Sequence, residues 1–207
     1  MDTLTTPTTS FAIPQYLVYE EINGKPIYYK GYEEVLAQQK KMDDIMGCGT
    51  LQFLLIGTLL KWLYRTLPDN TYRIATNEAG LHLSKGNNIA GDILIFDWLA
   101  LSKIDHNTTE YAQLMPRVMI EVDTKAAVAD FYTDPNYYLK KTNLLLRAGV
   151  EQVIWILSDS QMILVATLNE DWKLVSWKRS VTLIDGYSFC LNELITNDEL
   201  NIELSED

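Results

Sequence analysis

Little in this chain lends itself to disulfide or zinc chemistry. Its two cysteines, Cys48 and Cys190, show no CxxC spacing, and histidine occurs only as His82 and His106. Neither a metal knuckle nor a disulfide framework is therefore expected, and both thiols are read as buried and reduced. No Ser or Cys motif accompanies either histidine, so both are read as structural rather than as half of a nucleophile pair. A glycine-rich phosphate loop is also missing, which argues against a nucleoside triphosphate substrate. The most apolar run, LQFLLIGTLLKWLY, is cut by Gly57 and Lys61 and falls short of the roughly 20 residues that a membrane span needs. It reads as a buried helix at a subunit contact. The N-terminus has no basic segment leading into an apolar core, so no membrane partner is expected and a cytoplasmic protein is the default. Positive charge is scarce too: 17 Lys and Arg stand against 28 Asp and Glu, a net charge of −11. That balance opposes broad, nonspecific attraction to nucleic acid, although part of the excess lies in the ending NDELNIELSED, which reads as a solvated tail.

What is present suits one globular domain. Residues 1–14, rich in Thr and Pro, read as a loose lead-in, residues 15–195 as the domain and 196–207 as the acidic tail. QYLVYEEINGKPIYYKG reads as a hairpin turning at Asn23-Gly24, with Glu20 just before the turn. Apolar positions at helical spacing from Tyr32 to Met46 predict one helix, and a second runs from about Thr50 to Leu67. TYRIAT and GLHLS read as two short strands. EQVIWIL, MILVATL and WKLVSWK read as an antiparallel meander. Helices mixed with strand runs, rather than alternating strictly with them, predict an α/β (α+β) fold: a mixed sheet with helices packed on its faces.

The chemistry concentrates between Gly91 and Val150. GDILIF alternates with period two, so Asp92, at the head of the strand, shares a face with Leu94 and Phe96. In RVMIEVD, Val118, Ile120 and Val122 take one face, and Met119, Glu121 and Asp123 the other. Two carboxylates on neighbouring strands could grip one divalent ion. The next helix opens at Thr133 or Asp134 with Pro135 in its first turn and stops at Gly149. Its inward stripe is Tyr137, Tyr138, Leu144, Leu145 and Ala148, with Lys141 near the centre. A lysine facing the core needs carboxylates nearby, and Asp92 and Glu121 are the candidates.

The order of these pieces, a Glu before an x-N-G turn, an Asp-headed strand, P-x-V-x-I-E-V and then K-x-x-x-L-x-R-A-G-V, resembles a large bacterial family of restriction-endonuclease-like proteins within the PD-(D/E)XK nuclease superfamily. The likeness runs from about Tyr16 to Leu194 and includes IDGYSFCLNEL. It implies a restriction-endonuclease-like mixed sheet and a Mg²⁺-dependent endonuclease that acts on DNA, with Mn²⁺ as a substitute ion and a homodimer to cut both strands. Asp92 and Glu121 match the two metal-binding acids, the Val122 carbonyl a third ligand, Glu20 the outer acid, and Lys141 a catalytic lysine displaced from the position that Asp123 occupies. Three departures stand out. Gly91 replaces a proline, a change expected to be harmless. Arg117 replaces an acid, and DTKA follows Glu121, both expected to alter charge beside the site; the second makes Lys125 a rival lysine. The net charge and Asp123 motivate an alternative, a nuclease fold kept as a noncatalytic binding or assembly module.

Overall fold

The computed structural model describes residues 13–123 and 136–203. Thr133, Asp134 and Pro135, the expected helix start, and Lys125 lie outside them. Strands β1 (Val18–Ile22) and β2 (Lys25–Tyr28) form the N-terminal hairpin. Asn23 and Gly24 have φ of 53° and 69°, the left-handed pair that matches a two-residue turn to the twist of its strands. Two short helices, α1 (Tyr32–Leu36) and α2 (Asp43–Met46), replace the single helix expected there. The intervening QQKKMDD has almost nothing to bury, Gln38 turns to φ 59°, and of the apolar positions from Tyr32 to Ile45 only Ile45 is buried. Helix α3 (Thr50–Thr66) forms as its pattern requires. It is half-buried rather than buried: Gln52, Leu55, Leu59 and Leu63 face the protein, while Phe53 and Tyr64 face out.

Next come β3 (Tyr72–Ser84), β4 (Asn87–Asp97), the short α4 (Trp98–Leu101), β5 (Val118–Val122), α5 (Asn136–Ala148), β6 (Gln152–Leu157), β7 (Met162–Thr167) and β8 (Lys173–Ser176). Strands β9 (Ser180–Thr182) and β10 (Ser188–Cys190) pair as a small separate sheet, and α6 (Leu191–Asn197) is the last element. The main sheet has eight strands in the order β2-β1-β4-β5-β6-β7-β8, with β3 also bonded to β4. Its ladders are antiparallel except for β5 with β6, which run parallel and so need a crossover, supplied by α5. The mixed sheet flanked by helices, the N-terminal hairpin and the β6-β7-β8 meander are as expected.

Two apolar layers sandwich the sheet. One joins Leu55, Leu59 and Leu63 of α3 to Ile93, Ile95, Val118, Ile120, Val122, Ile154 and Ile156. The other joins α5, through Tyr137, Tyr138, Leu145 and Leu146, to Leu94, Phe96, Met119, Val153 and Trp155. Helix α5 thus buries Leu146 where Ala148 was expected, and Ala148 is exposed. Gly149 ends the helix at φ 111°, with Gly149 N–H donating to the Leu146 carbonyl and Val150 N–H to that of Leu145, the paired bonds of a Schellman cap. Beyond α6, Asp198 accepts from Thr58 and Lys61 of α3, and Leu200 and Ile202 pack on the first layer. Cys48 is exposed and Cys190 half-buried, so the expectation of two buried thiols is wrong: both lie on stretches at the rim of the packing.

The expected pair of strands TYRIAT and GLHLS is one strand, β3, bent by a bulge. Thr76 pairs with Ile93 and Ala79 with Gly91, so that Asn77 and Glu78, both at positive φ, stand opposite Asp92 alone. Strand β4 turns over at this point. Ile89 packs in the α5 layer, yet Ile93, at the same parity, packs in the α3 layer. Asp92 is therefore not at a strand head but in mid-strand, at the residue where the alternation breaks, and bulges of this kind re-aim a side chain. Because α3 packs on one face of the sheet through three fully buried leucines, Leu59→Ala should cost about 3 kcal/mol and lower Tm by about 10 °C, read by thermal denaturation.

Candidate active site

Along one edge β4 is bonded to β3. Along the other it passes from β1, where Glu21 faces Asn88, to β5, where Ile93 faces Ile120. Between those contacts β1 and β5 fork apart, and the side chains singled out in the sequence converge in the fork. Glu20 enters from β1, Glu121 from β5 and Lys141 from α5, all of them buried: Glu20 is 3% exposed, Glu121 2% and Lys141 0%.

The ammonium of Lys141 lies 2.5 Å from Glu20 Oε1 and 2.8 Å from Glu121 Oε1, and donates to the Ala90 carbonyl at 3.1 Å. That carbonyl belongs to the stretch of β4 inside the fork. Rings of Trp155, Tyr137 and Tyr19 surround Nζ at 5.5, 5.9 and 6.0 Å from their centroids, favourable for a desolvated cation. Tyr137 also donates its hydroxyl to Glu20 Oε2 at 2.9 Å, so both oxygens of Glu20 are satisfied. Lys141 was expected to pair with Asp92 and Glu121. It pairs with Glu20 and Glu121, because α5 packs on the layer that Glu121 faces while the hairpin brings Glu20 in from the far side of the fork.

Asp92 is held by backbone. Its Oδ2 accepts from Val122 N–H at 2.8 Å, replacing a ladder bond after β4 and β5 separate. The Val122 carbonyl accepts from Gln52 Nε2 at 2.7 Å, and the same nitrogen lies 3.5 Å from Asp92 Oδ2. Sequence reasoning passed over Gln52. A signal was available, since Gln52 is the long polar side chain that opens the inward stripe continued by Leu55, Leu59 and Leu63, a stripe whose other polar member is the small Thr58. Tyr137 was assigned only to packing, and its hydroxyl has the further role of orienting Glu20.

Electrostatically the site carries too much negative charge. Burial pushes the Glu121 carboxyl up to about 8; Lys141 pulls it down, and Asp92 and Glu20 push it up again. Burial works against the charge of Lys141, yet the Glu121 and Glu20 carboxylates hold its pKa above the ordinary lysine value. A unit pair 2.8 Å apart attracts by about 6 kcal/mol at an effective dielectric of about 20. Desolvation costs several kcal/mol per ion. One lysine therefore roughly balances one carboxylate, leaving a second carboxyl to take up a proton or a further cation. Glu121 Oε1, although in ion-pair contact with Nζ, has no aligned hydrogen-bond donor among the described residues.

Among the described residues no three His, Cys, Asp or Glu side chains are grouped to hold a metal. The oxygens that could hold one are the carboxylates of Asp92 and Glu121 with the Val122 carbonyl. All are hard oxygens, and Mg²⁺ characteristically takes one or two carboxylates and keeps several waters. Asp123, where a lysine would conventionally stand, has φ 57° and turns back to accept from Ser158 N–H at 2.8 Å and its hydroxyl at 2.7 Å. Arg117 is not beside the site, contrary to expectation. It pairs with Glu151 and Asp185 at the opposite end of β5, about 13 Å of strand from Glu121. Gly91 is buried, and the Met119 and Leu94 side chains fill the space where a Cβ would project, the nearest atom 2.4 Å away, so the residue that replaces the proline also admits its neighbours. His82 bonds Asn88 on the surface of the β3-β4 hairpin.

No protein-family model matches the chain, and the search of curated proteins gives no match either. Among solved structures the chain is similar to the crystal structure of "a putative nuclease belonging to DUF820" from Anabaena variabilis ATCC 29413, with a TM-score of 0.58 and 16% identity over 86% of this chain and 89% of that one. At this identity the likeness shows a shared fold. Among the described residues, no helix is long and apolar enough to cross a membrane.

Two measurements probe the buried charges. Lys141→Met strands two buried carboxylates and should destabilise the fold by about 3–5 kcal/mol, seen as a fall in urea midpoint. Glu121 binds its proton more tightly folded than unfolded, so its contribution is complete below about 4.5 and is lost as pH rises through about 8, where the native state holds the extra proton. Glu121→Gln should therefore melt higher than the wild type in metal-free buffer. The gap should widen between pH 5 and 9, and melting curves across that range check it.

Proposed function

We propose that this chain is a Mg²⁺-dependent nuclease of the PD-(D/E)XK type that hydrolyses DNA phosphodiester bonds. The observation that carries the reading is the convergence of Glu20, Asp92, Glu121 and Lys141, from four separate elements, at one fork in the sheet. Burying an ion cluster with excess charge is costly, and strongly shifted titratable groups cluster at functional sites. The fold shared with a protein described as a nuclease supports the same reading.

A divalent ion held by Asp92, Glu121 and the Val122 carbonyl would polarise the scissile phosphate and acidify a bound water. The other steps belong to the chain. Asp92 is kept in place by the Val122 N–H, so its carboxylate is oriented before substrate arrives. Lys141, held cationic by its acidic neighbours, stabilises the negative charge that grows on the phosphate as water attacks. Glu20, braced by Tyr137, fixes the lysine head and keeps it from collapsing onto Glu121 alone. Cutting both strands of a duplex calls for two such sites, which a homodimer would supply.

The net charge of −11 favours a second reading, in which the fold serves as a noncatalytic binding module. Incubating the purified protein with plasmid, single-stranded and duplex oligonucleotides and mononucleotide substrates, with and without millimolar Mg²⁺ or Mn²⁺, separates the two. Metal-dependent cleavage that falls more than about 100-fold in Asp92→Ala and Glu121→Ala is expected, since loss even of outer-shell partners costs about 10–100-fold. Cleavage undiminished in both variants would reject the assignment, and no metal binding at all would favour the module.

A further inference from the structure

We infer that Gln52 is a positioning residue for the metal seat, setting the spacing between Asp92 and the Val122 carbonyl before any ion arrives. The inference rests on the metal-dependent reading above and concerns a residue outside the acid–lysine set.

Beyond Ile93 and Ile120 the β4-β5 ladder ends, and the next backbone groups of β5 need other partners. Asp92 takes the N–H of Val122, and Gln52 takes its carbonyl at 2.7 Å. The same Gln52 nitrogen lies 3.5 Å from Asp92 Oδ2. One amide group therefore touches two of the three proposed ligands. It reaches them from α3, which is anchored independently by Leu55, Leu59 and Leu63. Burying an amide is unfavourable unless it is bonded, and a fourth leucine would pack as well on this stripe. A polar side chain only 8% exposed at this point is thus explained by what it bonds.

The other end of the amide points to the same role. Among the described residues none donates a hydrogen bond to Gln52 Oε1, and the residue forms part of the wall of an open cleft of about 350 Å³, lined also by Lys30, Gly31, Glu34, Lys40 and Gly49. Gln52 is therefore the point at which this cleft meets the proposed ligands. A glutamine that merely satisfies a dangling carbonyl would affect stability alone. One that sets ligand spacing also changes how tightly the ion binds.

The test is calorimetric and paramagnetic-resonance titration of the full chain with Mn²⁺, without substrate, for the wild type, Gln52→Leu and Gln52→Glu, together with thermal melts. Gln52→Leu should bind Mn²⁺ about 10-fold more weakly or worse. Gln52→Glu cannot donate to the Val122 carbonyl and adds a third carboxylate. It should melt lower than the wild type without metal, bind Mn²⁺ more tightly and show a larger rise in Tm on adding it. Should Gln52→Leu fail to fold, the Glu variant decides. Wild-type Mn²⁺ binding with unchanged affinity in the folded variants would overturn the role of Gln52 and leave the nuclease reading standing. No Mn²⁺ binding by the wild type at millimolar concentration would overturn that reading, and this inference with it.

Discussion

The ammonium of Lys141 is shut away from water between the carboxylates of Glu20 and Glu121, with Asp92 close enough to push on Glu121. Charges are costly to bury, and a single lysine does not neutralise this group. Much of the surrounding construction follows from keeping it intact. The hairpin delivers Glu20, the crossover helix delivers Lys141, and three aromatic rings close round the cation. Tyr137 serves twice, as a ring beside Nζ and as a hydroxyl on Glu20.

The fork that contains the group is a consequence of strand pairing. A strand with the same neighbour throughout would present only ladder bonds here. Because β4 exchanges β1 for β5, its backbone is left open at Ala90, and the first unladdered groups of β5 need side-chain partners. The lysine, Asp92 and Gln52 answer those needs. The two-residue bulge in β3 rotates β4 at the same position, so that a residue between the two apolar layers can aim along the sheet edge. Polar chemistry is in this way introduced into a strand that continues from Ile93 to Phe96 as buried hydrocarbon.

Much of this was legible from spacing alone. The alternation in Ile93–Phe96 and Val118–Val122 correctly separates the two layers, and the helical position of Lys141 places it facing the sheet. The resemblance supplied Glu20, which no local pattern marks as different from Glu21 next to it. What could not be read has physical causes. Asp92 looks like the head of a strand because the bulge breaks the period there, and a break in period is indistinguishable from a terminus without the partner strand. Helix formation from Tyr32 to Met46 fails because its apolar positions have no surface to bury against, which is a tertiary fact. Arg117 adjoins β5 in sequence yet lies at the end of that strand far from Glu121. Gln52 announces itself only as one polar residue on an apolar stripe, a sign that acquires meaning once Val122 is known to lie opposite.

The central claim is that the oxygens of Asp92, Glu121 and Val122 form a seat for one divalent cation. An anomalous-scattering map from crystals soaked in millimolar Mn²⁺ tests it directly. A single peak bounded by these three residues, with Lys141 still on Glu20, is the expected result. A map with no ion in the fork, or with Mn²⁺ bound only elsewhere on the acidic surface, would contradict it.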